Sequence, residues 1–354
     1  MKKDKKNKEN NTPAVRICSV GGEALMEGIM MRAPGGFSQV IRNPEGNLDV
    51  EIKMQKPLSK KNKFFGIPVI RGFVALVDSL STGMKCLFRS AEISGLEEEI
   101  PEEEMSKFDK FLTKKLGDKL PQVIMTFSLL LAVALSVGLF FLLPNVLASL
   151  IIKKEQSIVL YNLIEGVVRI LIFLSYMFLV SRMKDIKRVF MYHGAEHKTI
   201  HCFEHMDELT VENVRKYSKH HPRCGTAFMF VIMVISILIY SLLPRFDFFL
   251  YNILLRIITL PLIAGIGYEF NRFCGKYENT FTKILRAPGM ALQRLTTFEP
   301  DDDMITVAIV ALNKALALDT ADGQSPSEHY ILDPDGNPLP EPVSEETATV
   351  ENPA

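Results

Sequence analysis

Between Tyr192 and His205 the sequence reads Y-H-G-A-E-H-K-T-I-H-C-F-E-H, and four of the chain's seven histidines, His193, His197, His201 and His205, fall there at intervals of four. On a helix, residues i and i+4 lie one above the other on the same face, close enough for two imidazoles to share a metal ion. His193 to His197 also spells H-x-x-E-H, the order in which two histidines bind a metal and the glutamate, here Glu196, serves as general base. The same letters recur from His201 to His205, so the period of the histidines generates part of the motif. Residues eight apart are separated by about 12 Å along a helix axis. One ion can therefore take His193 with His197, or His197 with His201, but not all three. The structural alternative is a solvated polar helix face on which histidine is tolerated.

A catalytic metal normally takes a third protein ligand. Residues 220–226, H-H-P-R-C-G-T, supply His221 and Cys224; the alternative there is a helix entry whose arginine meets phospholipid headgroups. Residues 298–303, F-E-P-D-D-D, supply Glu299, Asp301, Asp302 and Asp303. Carboxylates at this point also suit the N-cap and first turn of a helix over about 304–318, which leaves Glu299 as the better ligand candidate. In the glycine-rich N-terminal stretch the candidate polar residues are Glu23, Glu27 and Arg32, with surface carboxylates as the alternative. Its glycines follow neither the G-x-G-x-x-G nor the P-loop order.

The elements that must position these residues belong to a membrane protein with soluble flanks. Of 354 residues 47% are hydrophobic, mean hydropathy is +0.14, and the apolar residues are unevenly distributed. Net charge is zero, and nothing in the charge pattern points to nucleic acid. The basic tail 1–14 and the acidic tail 319–354 are too poor in apolar residues to fold. No apolar run follows the basic start within signal-peptide distance, so neither cleavage nor export is expected. Five cysteines without paired spacing argue for free thiols in a reducing compartment.

The expected architecture is mainly α: a polytopic membrane protein with about four transmembrane helices and a small β-rich N-terminal cytoplasmic unit. That unit covers 15–56, with a hairpin of Phe37 to Arg42 and Leu48 to Met54 around N-P-E-G-N. An interfacial amphipathic helix over 64–90 follows, then an acidic linker at 97–104. The spans run over about 122–147, 158–180, 226–243 and 248–268, each able to cross roughly 30 Å of hydrocarbon. The His-rich loop 182–223 and the segment 269–318 carry many Lys and Arg, whereas the short loops around Lys153 and Arg245 carry few. The positive-inside bias then puts both termini and the histidine helix in the cytoplasm of a multi-pass inner-membrane protein. Within the spans Glu165, Arg169 and Arg256 are costly in hydrocarbon; they read as structural partners or as an anion or proton path.

G-G-E-A-L-M-E-G-I-M-M-R-A-P, Y-H-G-A-E-H-K, H-P-R-C-G-T and L-Q-R-L-T-T-x-E-P-D-D occur in this order around the spans. This series, over about residues 16–318, resembles the YqhQ-like family of bacterial membrane proteins. The resemblance implies the topology and a metal-dependent enzyme activity, and it marks His193, Glu196, His197, His221, Cys224 and Glu299; His201 and His205 extend the pattern beyond the family motif. The reading is a metal-dependent hydrolytic site at the membrane surface. His193, His197 and Glu299 hold a divalent ion, zinc before others, Glu196 is the base, and an amphiphilic substrate arrives from the bilayer. A scaffold docking a cytoplasmic protein partner and a small transporter built on Glu165 and Arg256 are the alternatives.

Overall fold

The computed structural model describes residues 20–55, 57–95, 120–152, 157–244, 246, 248–277, 279–320 and 328–339. The expected linker at 97–104, the basic tail 1–14, and Lys153 and Arg245 lie outside them.

Most of the described chain is helical, and the sheet is an antiparallel meander in the order β1 to β5: β1 (Gly21–Leu25), β2 (Gly28–Ala33), β3 (Gly36–Arg42), β4 (Leu48–Met54) and β5 (Glu328–Leu332). The expected hairpin forms, with Arg42 opposite Leu48 and Val40 opposite Val50. Its turn closes through Asn43, whose side-chain oxygen accepts from the Asn47 N–H, and through Gly46 at φ +91°, a conformation that suits glycine. The chain beyond Leu318 is not wholly unfolded, contrary to expectation. β4 offers an open row of backbone groups, and E-H-Y-I-L alternates so that Leu332 enters the core while pairing with Leu48.

Both faces of the sheet are covered. Ile29, Met31, Val40, Leu48 and Val50 pack against α11 (Asp302–Thr320) and α6 (Lys184–Glu204). Ala308, Ala311 and Ala315 keep α11 close to β2 and β3, and Ser38 Oγ donates to the Ala311 carbonyl at 2.6 Å. The opposite face, with Leu25, Met30 and Phe37, meets Cys86 of α2 (Ile70–Ile93). After the short α1 (Leu58–Lys61), residues Phe64–Gly66 form only a 3₁₀ turn. α2 therefore starts past Pro68, six residues later than expected. Its first turn packs on α9 (Phe249–Lys276): Gly72 sits where a Cβ would press on Gly265 and Tyr268, and Arg71 pairs with Glu269 at 2.5 Å.

Three helical stretches are long and apolar enough to cross a membrane: Thr126–Ile151, Ile158–Val180 and Leu250–Lys276. The first joins α3 (Leu120–Val137) to α4 (Leu143–Ile151) through a π turn at Gly138–Leu142, and the second is α5. The third expected span corresponds to α8 (Gly225–Leu242), whose apolar part, Phe228–Leu242, is shorter. Glu165 and Arg169 pair at 2.6 Å, and Arg256 Nη2 reaches the same Glu165 oxygen at 2.7 Å. Arg169 Nε donates to the carbonyl of Phe140 in the π turn, and both guanidiniums lie near the Phe141 and Tyr240 rings. The expected ion pair thus exists and ties α5 to α9.

Removing a buried carboxylate from between two guanidiniums leaves charge uncompensated. Glu165→Leu is expected to destabilise the detergent-solubilised protein by about 3–5 kcal/mol, and the triple leucine variant at 165, 169 and 256 should recover most of that loss. Thermal unfolding is the measurement, and an unaltered single variant would rule out the structural pairing.

Candidate metal centre

α6 is a polar helix in a buried place. From Tyr192 to Ile200 every residue is buried, because the helix is enclosed by β1, β2, α11, the loop after α7 (Val211–Arg215) and the segment that follows α10 (Thr280–Thr296). The last of these crosses α6 at Gly194, where a Cβ would stand 2.0 Å from the Phe298 carbonyl oxygen. The Phe298 N–H donates to the Phe190 carbonyl at 2.9 Å. The glycine of Y-H-G-A-E-H is therefore a crossing point, and the crossing delivers the Thr296 carbonyl to His193.

That carbonyl lies 2.8 Å from His193 Nδ1, and the Lys219 carbonyl lies 2.6 Å from His197 Nδ1. A carbonyl can only accept, so each Nδ1 carries the proton and each Nε2 presents a lone pair. The two rings, on one face as the spacing predicts, have centroids 4.4 Å apart. His193 Nε2 faces Cys224 Sγ at 3.2 Å, and His197 Nε2 is buried with no hydrogen-bond partner among the described residues. The donor atoms of His193, His197 and Cys224 all lie within 4.8 Å of one another. Tetrahedral donors about 2.0–2.3 Å from an ion stand about 3.3–3.8 Å apart, so this group needs little contraction to hold one. Cys224 also N-caps α8: its sulfur accepts from the Thr226 N–H at 3.4 Å and lies 3.0 Å from the Thr226 hydroxyl, outer contacts that steady a ligating sulfur.

Glu196 stands beside the group, with Oε2 4.0 Å from His193 Nε2. Its other oxygen accepts from the Gly22 N–H at 3.0 Å, and a Cβ on Gly22 would overlap the carboxylate. The next residue of β1, Glu23, points to the other face of the sheet. Glu23 is packed against Gly83 of α2, where a Cβ would stand 2.2 Å from a carboxylate oxygen. Burial, and after it the charge of Glu196, raise the Glu23 pKa above the ordinary carboxylate value. Glu23, Arg32 and Gly22 line a cavity of about 450 Å³.

The remaining expected residues hold the walls. Glu299 is not brought to the histidines: its carboxylate is 60% exposed and pairs with Lys198 and, at 3.7 Å, with Lys219. Two ammonium groups hold it there, and Cys224 stands beside the histidines where Glu299 was expected. Asp301 Oδ1 accepts from the Met304 N–H and caps α11, while Asp302 pairs with Arg215, so neither reaches the centre. His221 lies one ring further along, turned to Glu204 at 3.3 Å, with its backbone N–H and carbonyl both bound by Gln293. Glu204 also pairs with Arg223, so the glutamate of the second H-x-x-E-H fastens the cysteine loop to α6. His201 stacks 4.6 Å from His221, and burial, then His221, lower its pKa to about 4. His205 bonds its own helix at the His201 carbonyl. Glu27 pairs with Arg188 and accepts from Tyr192, and Arg32 pairs with Asp78. The sequence reading missed Lys219 and Thr296, since a backbone carbonyl has no signature in residue type. Gln293 and Glu204 were visible inside the motifs, though without a role.

The fold and site define a class: an α-helical protein with membrane-length apolar helices and a buried His-His-Cys group flanked by carboxylates. The chain belongs to the family described as "Protein of unknown function (DUF1385)", which matches residues 67–318 and so contains all three donor residues. It is 32% identical over 317 residues to the "Uncharacterized protein YqhQ" of Bacillus subtilis (strain 168), covering 88% of this chain and 97% of that relative. No solved structure matches.

A carboxyl whose folded pKa is raised favours its protonated form in the native state, so stability falls as pH rises from the unfolded value through the folded one. Glu23→Gln is accordingly expected to unfold at a higher temperature than the wild type at pH 7 to 8. The difference should vanish below about pH 4.5, the value of an unperturbed Glu. Melting curves across this range are the check; a destabilised variant at neutral pH would contradict the assigned environment.

Proposed function

We propose that the protein is a multi-pass membrane enzyme with four spans and a zinc-dependent hydrolytic site on its cytoplasmic side. The observation that carries this reading is the pair of imidazoles whose Nδ1 atoms are committed to backbone carbonyls while their Nε2 atoms converge with the Cys224 sulfur. Three protein donors with imidazole and thiolate character suit zinc and leave a fourth tetrahedral position for a reactant. An ion held there supplies Lewis acidity. Glu196 is the group that holds and moves the proton: it sits 4.0 Å from His193 Nε2, and its far oxygen is anchored on Gly22. Cytoplasmic placement is supported by the excess of Lys and Arg in 182–223 and after Arg272, and α8 serves as the fourth span. A site directly below apolar helices favours an amphiphilic substrate.

Elemental analysis of protein purified without chelator should find about one zinc per chain, lost in the double variant His193→Ala, His197→Ala and in Cys224→Ser. A metal-free wild type, or stoichiometric metal in the double variant, would defeat the assignment and favour a scaffold that docks a protein partner.

Glu196→Gln separates chemistry from binding. It should keep the zinc and lower hydrolysis of an amphiphilic ester or amide by about 10²–10⁴-fold, the usual contribution of a general base. Undiminished turnover would remove Glu196 from the mechanism.

A further inference from the structure

α10 carries a second feature on a different face from the residues that meet the metal centre. Lys283, Arg286, Ala287, Met290 and Arg294 fall at i, i+3, i+4, i+7 and i+11, a single helical stripe. With His220 on the facing loop they line a cavity of about 510 Å³. The lining combines these cationic side chains with the apolar Pro222, Ala287, Met290 and Ala291.

The cations here differ from the other basic groups of this region. Arg188, Arg215, Lys198, Lys219 and Arg223 each pair with a carboxylate. Among the described residues Lys283, Arg286 and Arg294 have no such partner; Arg286 donates only to the Thr282 carbonyl of its own helix. His220 Nε2, also on this cavity, is buried without a hydrogen-bond partner among the described residues. Three positive charges and an imidazole nitrogen around one hollow call for an anion with several acceptor oxygens.

The surroundings select the kind of anion. α10 starts at Thr280, four residues after α9 ends, and the exposed side chains along this junction are Phe273, Tyr277, Phe281 and Ile284. An exposed aromatic and aliphatic line at the end of a membrane-length helix belongs at the boundary between acyl chains and headgroups. A free inorganic anion has no use for the apolar lining at Met290, whereas an amphiphile uses both the charged and the apolar lining.

We propose that this cavity binds one anionic phospholipid, with Lys283, Arg286 and Arg294 around its phosphate, His220 donating to it, and the glycerol portion lying on Ala287 and Met290. The site does not depend on the metal reading, although Arg294 and His220 adjoin Gln293 and His221, which pin the cysteine loop.

Native mass spectrometry of the detergent-purified full chain, titrated with phosphatidylglycerol and with phosphatidylcholine of the same acyl chains, tests it. Wild type should retain one phosphatidylglycerol and prefer it to phosphatidylcholine. K283Q/R286Q/R294Q should weaken phosphatidylglycerol binding roughly a hundredfold, by the attraction typical of each basic group near an anionic lipid. Met290→Trp keeps every charge but fills the apolar part of the cavity, and should weaken binding as well. Melting temperature without added lipid and zinc content serve as folding controls, so loss of lipid with both retained is read as loss of the site. Equal affinity in wild type and the triple variant, an unaffected Met290→Trp, or displacement of the lipid by equimolar inorganic phosphate would each overturn the proposal.

Discussion

Two backbone carbonyls decide what the histidine helix can do. Those of Thr296 and Lys219 each hold an Nδ1 proton, and by doing so they turn the opposite nitrogens of His193 and His197 into lone-pair donors. Everything else in this region serves to bring those two carbonyls to α6. Gly194 lets the Thr296–Pro300 segment cross the helix at backbone contact, and Glu299 ties down Lys219 from the solvent side. Gln293 holds His221 by both its backbone groups, and Glu204 holds Arg223, which together fix the turn that ends in Cys224. A buried imidazole nitrogen without a partner is costly, and His197 Nε2 bears that cost in a place where two other donors converge.

The sheet contributes acids. It is covered on one face by α11 and on the other by α2, and its first strand meets Glu196, beside the His193, His197 and Cys224 group, at Gly22. The absence of side chains at Gly22 and Gly83 leaves room for the carboxylates of Glu196 and Glu23 respectively. Burial of the Glu23 carboxyl opposes folding at neutral pH. The long apolar helices bear a different polar centre. One carboxylate there serves two arginines on different helices, and the π turn frees a carbonyl for the third contact, so the group is an internal brace.

Much of this was legible in the residues. The four-residue period of histidine announced a helix with two rings on one face, and N-P-E-G-N between alternating runs announced the β3–β4 hairpin. The apolar runs announced membrane-length helices, and the i, i+4 spacing of Glu165 and Arg169 their pairing. Where the reading failed, a partner distant in sequence intervened. Glu299 was a fair ligand by type and position, yet Lys198 and Lys219 stand closer to it than any imidazole. Residues 328–332 looked too polar to fold, but an open strand edge supplied the backbone hydrogen bonds that their own composition could not.

Local rules thus determined which elements form and which donor types are available, because helix period, strand alternation and turn chemistry act over a few residues. The tertiary structure alone decided that Cys224 joins His193 and His197, which nitrogen of each histidine meets a backbone carbonyl, and that Gly22 holds Glu196. Those outcomes depend on carbonyls, glycine gaps and ion pairs contributed by segments up to 174 residues apart, as Gly22 and Glu196 are. A backbone oxygen is the same in every residue, so its direction is known only when the chain has folded around it.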